Sequence, residues 1–178
     1  FLFNVKQRIR DHFIQGWNGR LQDSSKANFY KNVAHFSFQP YLEILTIPNY
    51  RISVSRLSVS SHRLYVETGR WRRPHSVPYY ERRCQICNVL DDEYHFVLEY
   101  RILEDLRTKY IPSTYRTRPN MYKLILSFDC KNENTVRNLS IFINKAFVIR
   151  NNDLLYDIVC ILLLLIKLYA ALFVFCYC

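Results

Sequence analysis

The chain has 178 residues and a formal net charge of +10, so it is long enough for one ordinary hydrophobic core. Aromatic residues are abundant and glycine is scarce, which excludes a disordered or low-complexity protein. Because glycine occurs only at positions 16, 19 and 69, a glycine-rich phosphate-binding loop is excluded as well.

The first third of the chain is predicted to be mostly helical. Apolar residues recur at every fourth position over residues 4–22, which predicts an amphipathic helix. Two serines, good N-cap residues, precede a second predicted helix over Lys26–His35. We expect a short helix over Tyr41–Ile47, between two prolines. Arg51–Val59 alternates in side-chain type, which predicts a short strand or an extended arm.

The second half is predicted to be helical around an irregular middle. Pro74–Pro78 is predicted to be a loop, and Glu93–Tyr110 a helix that Pro112 ends. Further helices are predicted after Pro119 and over Thr135–Ile149. The predicted fold is therefore mainly α, a small helical body with an irregular zinc-knuckle-like segment and a C-terminal hydrophobic helix. It divides into a helical N-terminal segment (1–50), a basic zinc-knuckle-like region (51–105), a helical C-terminal segment (106–151) and a hydrophobic tail (152–178).

One short pattern in the middle of the chain is typical of a metal site. Cys84 and Cys87 are separated by two residues, a spacing that turns both sulfurs toward one ion, and His95 follows at zinc-type spacing. A structural zinc site takes four ligands, and the pattern would be completed at position 100. That position holds Tyr100, whose phenol is an uncommon zinc ligand.

The sequence therefore does not identify a fourth ligand. Either the site takes a ligand from elsewhere, with His62 and His75 the nearest candidates, or it is damaged. The remaining cysteines do not form a disulfide framework, since Cys130 stands alone and the other three lie in the apolar tail. Together with the charged residues that follow Phe1 closely, this predicts a reducing compartment and no N-terminal signal peptide.

A basic cluster lies just before and around the cysteine pair. Arginine dominates it, and the planar guanidinium group suits bidentate phosphate contacts. Trp71 and the pair Tyr79-Tyr80 interleave with these arginines and offer rings on which unpaired bases stack. The predicted nucleic-acid-binding residues are Arg51, Arg56, Arg63, Arg70, Arg72, Arg73, Arg82, Arg83 and Trp71.

The paired aspartates Asp91-Asp92 invite comparison with the metal-binding pair of a polymerase. An aromatic residue two positions earlier is usual there, but the chain has Val89, and no alternating apolar strands surround the pair. We interpret the pair as the N-cap of the helix that carries His95. No other catalytic constellation is present, so we expect that the chain is not an enzyme and has no small-molecule substrate.

Several short segments of residues 15–151, roughly, together form a recognisable pattern: Ser61–Leu64, Glu67–Arg70, the Cys84/Cys87 pair, Asp92–Phe96, Ser24–Lys26, Pro40–Leu42, Arg118–Met121 and Arg137–Leu139. This pattern resembles the zinc-binding region near the C-terminus of LINE-type (non-LTR) retrotransposon reverse transcriptases. The chain departs from the family pattern at Tyr100, where the family has its last cysteine. A single base transition converts a cysteine codon to a tyrosine codon, which is consistent with a decayed copy.

The resemblance implies a noncatalytic, nucleic-acid-binding C-terminal fragment of a retroelement polyprotein. It implies RNA or single-stranded DNA as the partner, a location in the nucleus or cytoplasm, and Zn²⁺ as the cofactor, weakly held or lost because of Tyr100. The polymerase and endonuclease modules of the family lie outside this chain. The initial Phe1 in place of methionine likewise predicts a fragment.

The C-terminal tail supports a second interpretation, a small tail-anchored single-pass membrane protein with a basic cytosolic domain. Residues 158–178 carry one charge, Lys167, in 21 residues. At about 1.5 Å per residue, a helix of that length matches a hydrocarbon core of roughly 30 Å. Leu154–Cys178 is therefore predicted to cross a lipid bilayer. Alternatively, the tail is read-through of T-rich untranslated DNA, whose codons also encode apolar residues.

Overall fold

The computed structural model describes residues 2–24, 26 and 28–152, and these are mainly helical, as predicted. No strand is found among them, and their one β-bridge joins Arg83 to Leu90. The α-helices are, in chain order, α1 (Leu2–Asp23), α2 (Tyr30–Val33), α3 (Tyr41–Ile44), α4 (Pro48–Ser58), α5 (Tyr65–Thr68), α6 (Glu104–Tyr110), α7 (Ser113–Arg116), α8 (Met121–Phe128) and α9 (133–152).

Three predicted helices are confirmed in α1, α8 and α9, whose apolar residues follow helical periodicity. At the start of α8, the Asn120 side chain accepts a hydrogen bond from the Lys123 amide at 2.9 Å, which satisfies one of the free donors of the first turn. The helix predicted over Lys26–His35 is shorter, because Ala34 is already extended and α2 ends there.

The strand or extended arm predicted over Arg51–Val59 is wrong, because this segment forms helix α4. The alternation misleads since two of its polar residues are buried: the hydroxyls of Ser53 and Ser58 donate to carbonyls one turn earlier, at 2.8 and 2.9 Å. These bonds let serine share the buried face with Val54 and Leu57. The four buried residues of α4 lie on one face of the helix. When the two serines are taken as exposed, the same sequence has the alternating pattern of a strand.

The helix predicted over Glu93–Tyr110 is interrupted. A π-helical turn, His95–Glu99, ends at Tyr100, whose ψ of 116° is not helical, and a 3₁₀ turn then leads into α6. The π-turn ends at Tyr100, so its last carbonyls lack the amides that a continuing helix would supply, and other donors can replace them. Those donors come from a buried arginine described below.

The core lies around α4 and α9, where Leu57, Phe142 and Ile143 are fully buried. The side-chain amide of Asn144 also donates to the Ser53 hydroxyl at 3.0 Å and so joins the two helices. By contrast, α1 keeps much of its apolar face exposed. It contacts the body through Phe13 and Trp17, whose ring centroids lie 5.6 and 5.5 Å from that of Phe36.

The chain divides after Asn144 into two compact units. Of the second unit the structure describes only residues 145–152, the end of α9. The predicted bilayer-spanning segment Leu154–Cys178 lies outside the described residues. Within the residues that are described, no helix has the length and hydropathy needed to cross a membrane.

The position of α4 in the core gives the first prediction. Substituting Leu57, fully buried, by alanine should cost about 2–5 kcal/mol of unfolding free energy, because it leaves a cavity. Ile52→Ala is the matched control, since Ile52 is 48% exposed and its truncation should change stability by less than about 0.5 kcal/mol. Denaturant unfolding of both variants measures this. Equal losses would contradict the helical register of α4.

Candidate metal centre and basic surface

A tight turn presents the two cysteines. The Cys84 amide donates to the Val89 carbonyl at 2.7 Å, and the Asn88 amide donates to the Cys84 carbonyl at 2.8 Å. Asn88 has φ of 56°, a left-handed conformation that asparagine tolerates better than most residues. The side chain of Arg83 donates to the Asn88 carbonyl at 3.0 Å and closes the turn from outside.

His95 is positioned by the aspartate that precedes its helix. The His95 amide donates to the Asp92 carboxylate at 2.8 Å, so Asp92 is the member of the aspartate pair that caps this helix. Burial raises the pKa of Asp92 to about 6 even though the His95 amide opposes that shift. The imidazole itself is buried, and its Nδ1 lies 3.9 Å from the Glu99 carboxylate.

The predicted ligands Cys84, Cys87 and His95 come together in the structure. One ligand atom from each lies within 4.8 Å of the other two. Zn–S bonds of about 2.3 Å and Zn–N bonds of about 2.0 Å place tetrahedral ligand atoms roughly 3.5–4 Å apart. The three ligand atoms would therefore need to move closer by only about 1 Å to bind one zinc ion. Cys84 and His95 are buried and Cys87 is half-buried, which suits a structural rather than a solvent-open site. These three residues are close enough to hold a metal ion.

Tyr100 lies beside this cluster. It is fully buried, and its ring centroid is 5.6 Å from that of His95 at an interplanar angle of 71°. The Tyr100 amide donates to the His95 carbonyl at 2.7 Å, so the two residues stand at opposite ends of one π-turn. Position 100 is therefore next to the cluster, but its side chain is a phenol instead of a thiolate.

His62 does not join the cluster, contrary to its sequence-based assignment as a possible ligand. Its Nε2 lies 2.9 Å from the Glu93 carboxylate, and its Nδ1 accepts from the Leu64 amide at 3.3 Å. Ser60 donates to the same Glu93 oxygen at 2.6 Å. Burial alone would raise the pKa of Glu93, but the contacts with His62 and Ser60 outweigh it and lower the pKa. His62 thus has a structural role.

The donors that stabilise the interrupted helix come from Arg107, which is 2% exposed. Its guanidinium donates to the carbonyls of Val97 and Tyr100, each at 2.8 Å, and also binds the Glu104 carboxylate. The Val97 carbonyl lies just before the break, where a continuing helix would have supplied an amide. The Tyr100 carbonyl also accepts from the Leu103 amide at 3.1 Å. Arg107 was not identified from the sequence, where nothing distinguishes it from a surface arginine of an amphipathic helix.

The sequence-predicted arginines fall into two groups. Arg82 is half-buried and donates to the carbonyls of Val66 and Val77 at 2.7 and 2.8 Å. Its side chain passes so close to Gly69 that a Cβ there would lie 2.9 Å from the arginine Cγ. Other members of the supporting group are Arg51, which donates to the Leu45 carbonyl, Arg70, which pairs with Glu67, and Arg83.

Arg51 and Arg83 are exposed as well, but the other exposed arginines of the set have no main-chain or carboxylate partner among the described residues, and we call these the basic surface. One of them, Arg72, donates to the Tyr65 hydroxyl at 2.8 Å. Trp71 accompanies the basic surface and is 68% exposed, with the Arg70 guanidinium 5.8 Å from its ring centroid. An exposed indole among guanidinium groups is available for stacking. The arginines of the basic surface are Arg56, Arg63, Arg72 and Arg73.

Searches against protein-family profiles, curated proteins and solved structures find no match to this chain. The resemblance to LINE-type reverse transcriptases therefore stays an expectation from the sequence.

The neighbourhood of Tyr100 gives the second prediction. Tyr100→Cys should raise Zn²⁺ affinity and bring its stoichiometry toward one ion per chain, because a fourth thiolate completes the tetrahedral set. Competition with a chromophoric chelator measures the affinity. The control is Tyr122→Cys, which adds a thiol at a site 67% exposed on α8. Equal affinities for Tyr100→Cys and the unsubstituted protein would contradict this view of the site.

Proposed function

We propose that this chain is a noncatalytic nucleic-acid-binding fragment of a retroelement reverse transcriptase polyprotein. In this proposal, a Zn²⁺ ion at Cys84, Cys87 and His95 stabilises the region 51–105, and the basic surface binds RNA or single-stranded DNA. The observation that carries the proposal is the approach of these three ligand atoms to within 4.8 Å in a basic region of the chain.

The division of the arginines supports the proposal. A phosphate contact needs an exposed guanidinium group that is not held by a main-chain carbonyl or a carboxylate, and among the described residues the four arginines of the basic surface meet both conditions. Such contacts release counterions and act without regard to sequence. Trp71 adds an exposed ring for an unpaired base. In this proposal the metal stabilises local structure, because an ion bound by Cys84, Cys87 and His95 would tie the cysteine turn to the helix that carries His95.

Binding should depend on salt in the way phosphate contacts require. If about five phosphates are engaged, the slope of log K against log salt should be near −3.5 for a single strand. We expect the triple variant Arg63→Ala, Arg72→Ala, Arg73→Ala to flatten this slope by about 2. Fluorescence anisotropy with a labelled oligothymidylate over a range of salt concentrations measures it.

A charge-matched control separates the basic surface from net charge. Lys6, Arg8 and Arg10 are exposed on α1, so replacing all three by alanine removes the same charge elsewhere in the chain. For this control variant, the slope of log K against log salt should stay close to that of the unsubstituted protein. Equal effects of the two triple variants would show that binding is not localised, and an absence of binding at low salt would refute the proposed function.

The alternative proposal, a membrane anchor, rests on the apolar sequence of Leu154–Cys178. Its test is a glycosylation acceptor appended after Cys178 and translated with microsomes. If the tail spans the bilayer, the acceptor enters the lumen and is modified, and the chain resists carbonate extraction. An unmodified, carbonate-extracted chain would refute the anchor. Neither outcome bears on the basic surface.

A further inference from the structure

A polar cavity of about 360 Å³ lies near α5, a volume within the range of small-ligand sites. It does not include the metal cluster. Its walls combine two carboxylates, two guanidinium groups, a hydroxyl and a phenol, a mixture that suits a flat polar ligand better than an apolar one. These groups belong to Ser60, Glu67, Arg70, Tyr79, Arg82 and Glu93.

Most of these walls already have strong partners and so form a fixed frame. Glu93 accepts from Ser60 and His62, and Arg82 donates to two main-chain carbonyls. The Tyr79 ring is half-buried, with the Arg82 guanidinium 5.8 Å from its centroid. Rigid polar walls with one aromatic ring are typical of sites that read the edge of a base while stacking its face.

Glu67 is the exception. It is 7% exposed, and among the described residues its carboxylate accepts only from Nη1 of Arg70, at 3.3 and 3.4 Å. Charge-assisted hydrogen bonds are normally about 2.7–2.9 Å long. Burial raises the pKa of Glu67, and Arg70 opposes this shift without cancelling it. A buried carboxylate held so weakly favours a ligand that brings N–H donors.

The chemistry of the bases selects one ligand. An ionised carboxylate only accepts hydrogen bonds, through two oxygens side by side. Of the four RNA bases, guanine alone presents two adjacent donors on its Watson–Crick edge, N1–H and the N2 amino group. The neighbouring O6 atom of guanine accepts hydrogen bonds and can therefore bind a guanidinium group. Adenine, cytosine and uracil each place an acceptor next to their single donor group, which would repel the carboxylate.

We propose that this cavity binds one unpaired guanine base of a single strand, with Glu67 accepting from N1 and N2 and Arg70 donating to O6. The proposal rests on the nucleic-acid-binding function and adds base preference to it. The basic surface supplies affinity that is independent of sequence, and the cavity distinguishes guanine from the other bases.

The test uses the full chain and labelled single strands of thymidine with one central guanosine, inosine or adenosine. Inosine lacks only the N2 amino group, so its strand should bind roughly five- to tenfold more weakly, and adenosine should cost roughly tenfold or more. Equal affinities for guanosine and adenosine strands would overturn the base site and leave the basic surface intact. If no strand binds, both proposals fail together.

Two variants locate the preference. Glu67→Gln keeps the size of the side chain but places an amide donor against the guanine donors, so the three strands should bind within about twofold of one another. Glu81→Gln removes the same charge from an exposed side chain of the same region and should keep the preference. Loss of preference in both variants, or its retention in Glu67→Gln, would overturn the assignment. The comparison of strands on the unsubstituted protein does not depend on how either variant folds.

Discussion

The hydrogen bonds of Asp91 hold together the two parts of the chain on which everything else depends. Its carboxylate accepts from the Tyr65 amide at 2.7 Å, its carbonyl accepts from the Val66 amide at 3.2 Å, and its amide donates to the Arg82 carbonyl at 2.9 Å. Asp91 is 1% exposed, so these bonds form away from competing water. They fix α5, which carries Glu67, against the segment that leads into and out of the cysteine turn.

A second constraint acts on the other side of the metal cluster. The helix is interrupted at Tyr100, and Arg107 donates to the carbonyls of Val97 and Tyr100 on either side of the end of the π-turn. A buried guanidinium is costly to desolvate, but here it meets two carbonyls and a carboxylate. Arg107 thereby joins α6 to the π-turn that carries His95, although it is not one of the cluster residues.

The arginines illustrate how one residue type meets two demands. Five N–H donors in a plane let Arg82 bridge main-chain carbonyls of different segments, a task lysine could not perform with the same geometry. The exposed members keep their charge in water, where screening over about 8 Å confines their influence to groups close by. A basic composition therefore does not measure a binding surface, because part of the charge is used to build the fold.

Periodicity and spacing alone determined the helical class, the existence and approximate positions of α1, α8 and α9, and the convergence of Cys84, Cys87 and His95. These are local properties: three ligands within twelve residues of chain meet through one turn and the start of one helix. Local signals failed where serine was buried in α4, since a hydroxyl bonded to its own helix looks like a solvent-facing residue.

Only the tertiary structure decided which residues do not serve the metal and which form the cavity. His62 lies 31 residues from Glu93 in the chain, and Tyr65 lies 26 residues from Asp91. Whether His62 binds a metal or a carboxylate depends on which of these groups the fold places next to its imidazole ring. The same holds for Glu67, whose weak pairing is visible only once its burial and the distance to Arg70 are known. Sequence spacing carries no information on such pairs, because burial and partner choice are set by the packing of distant segments.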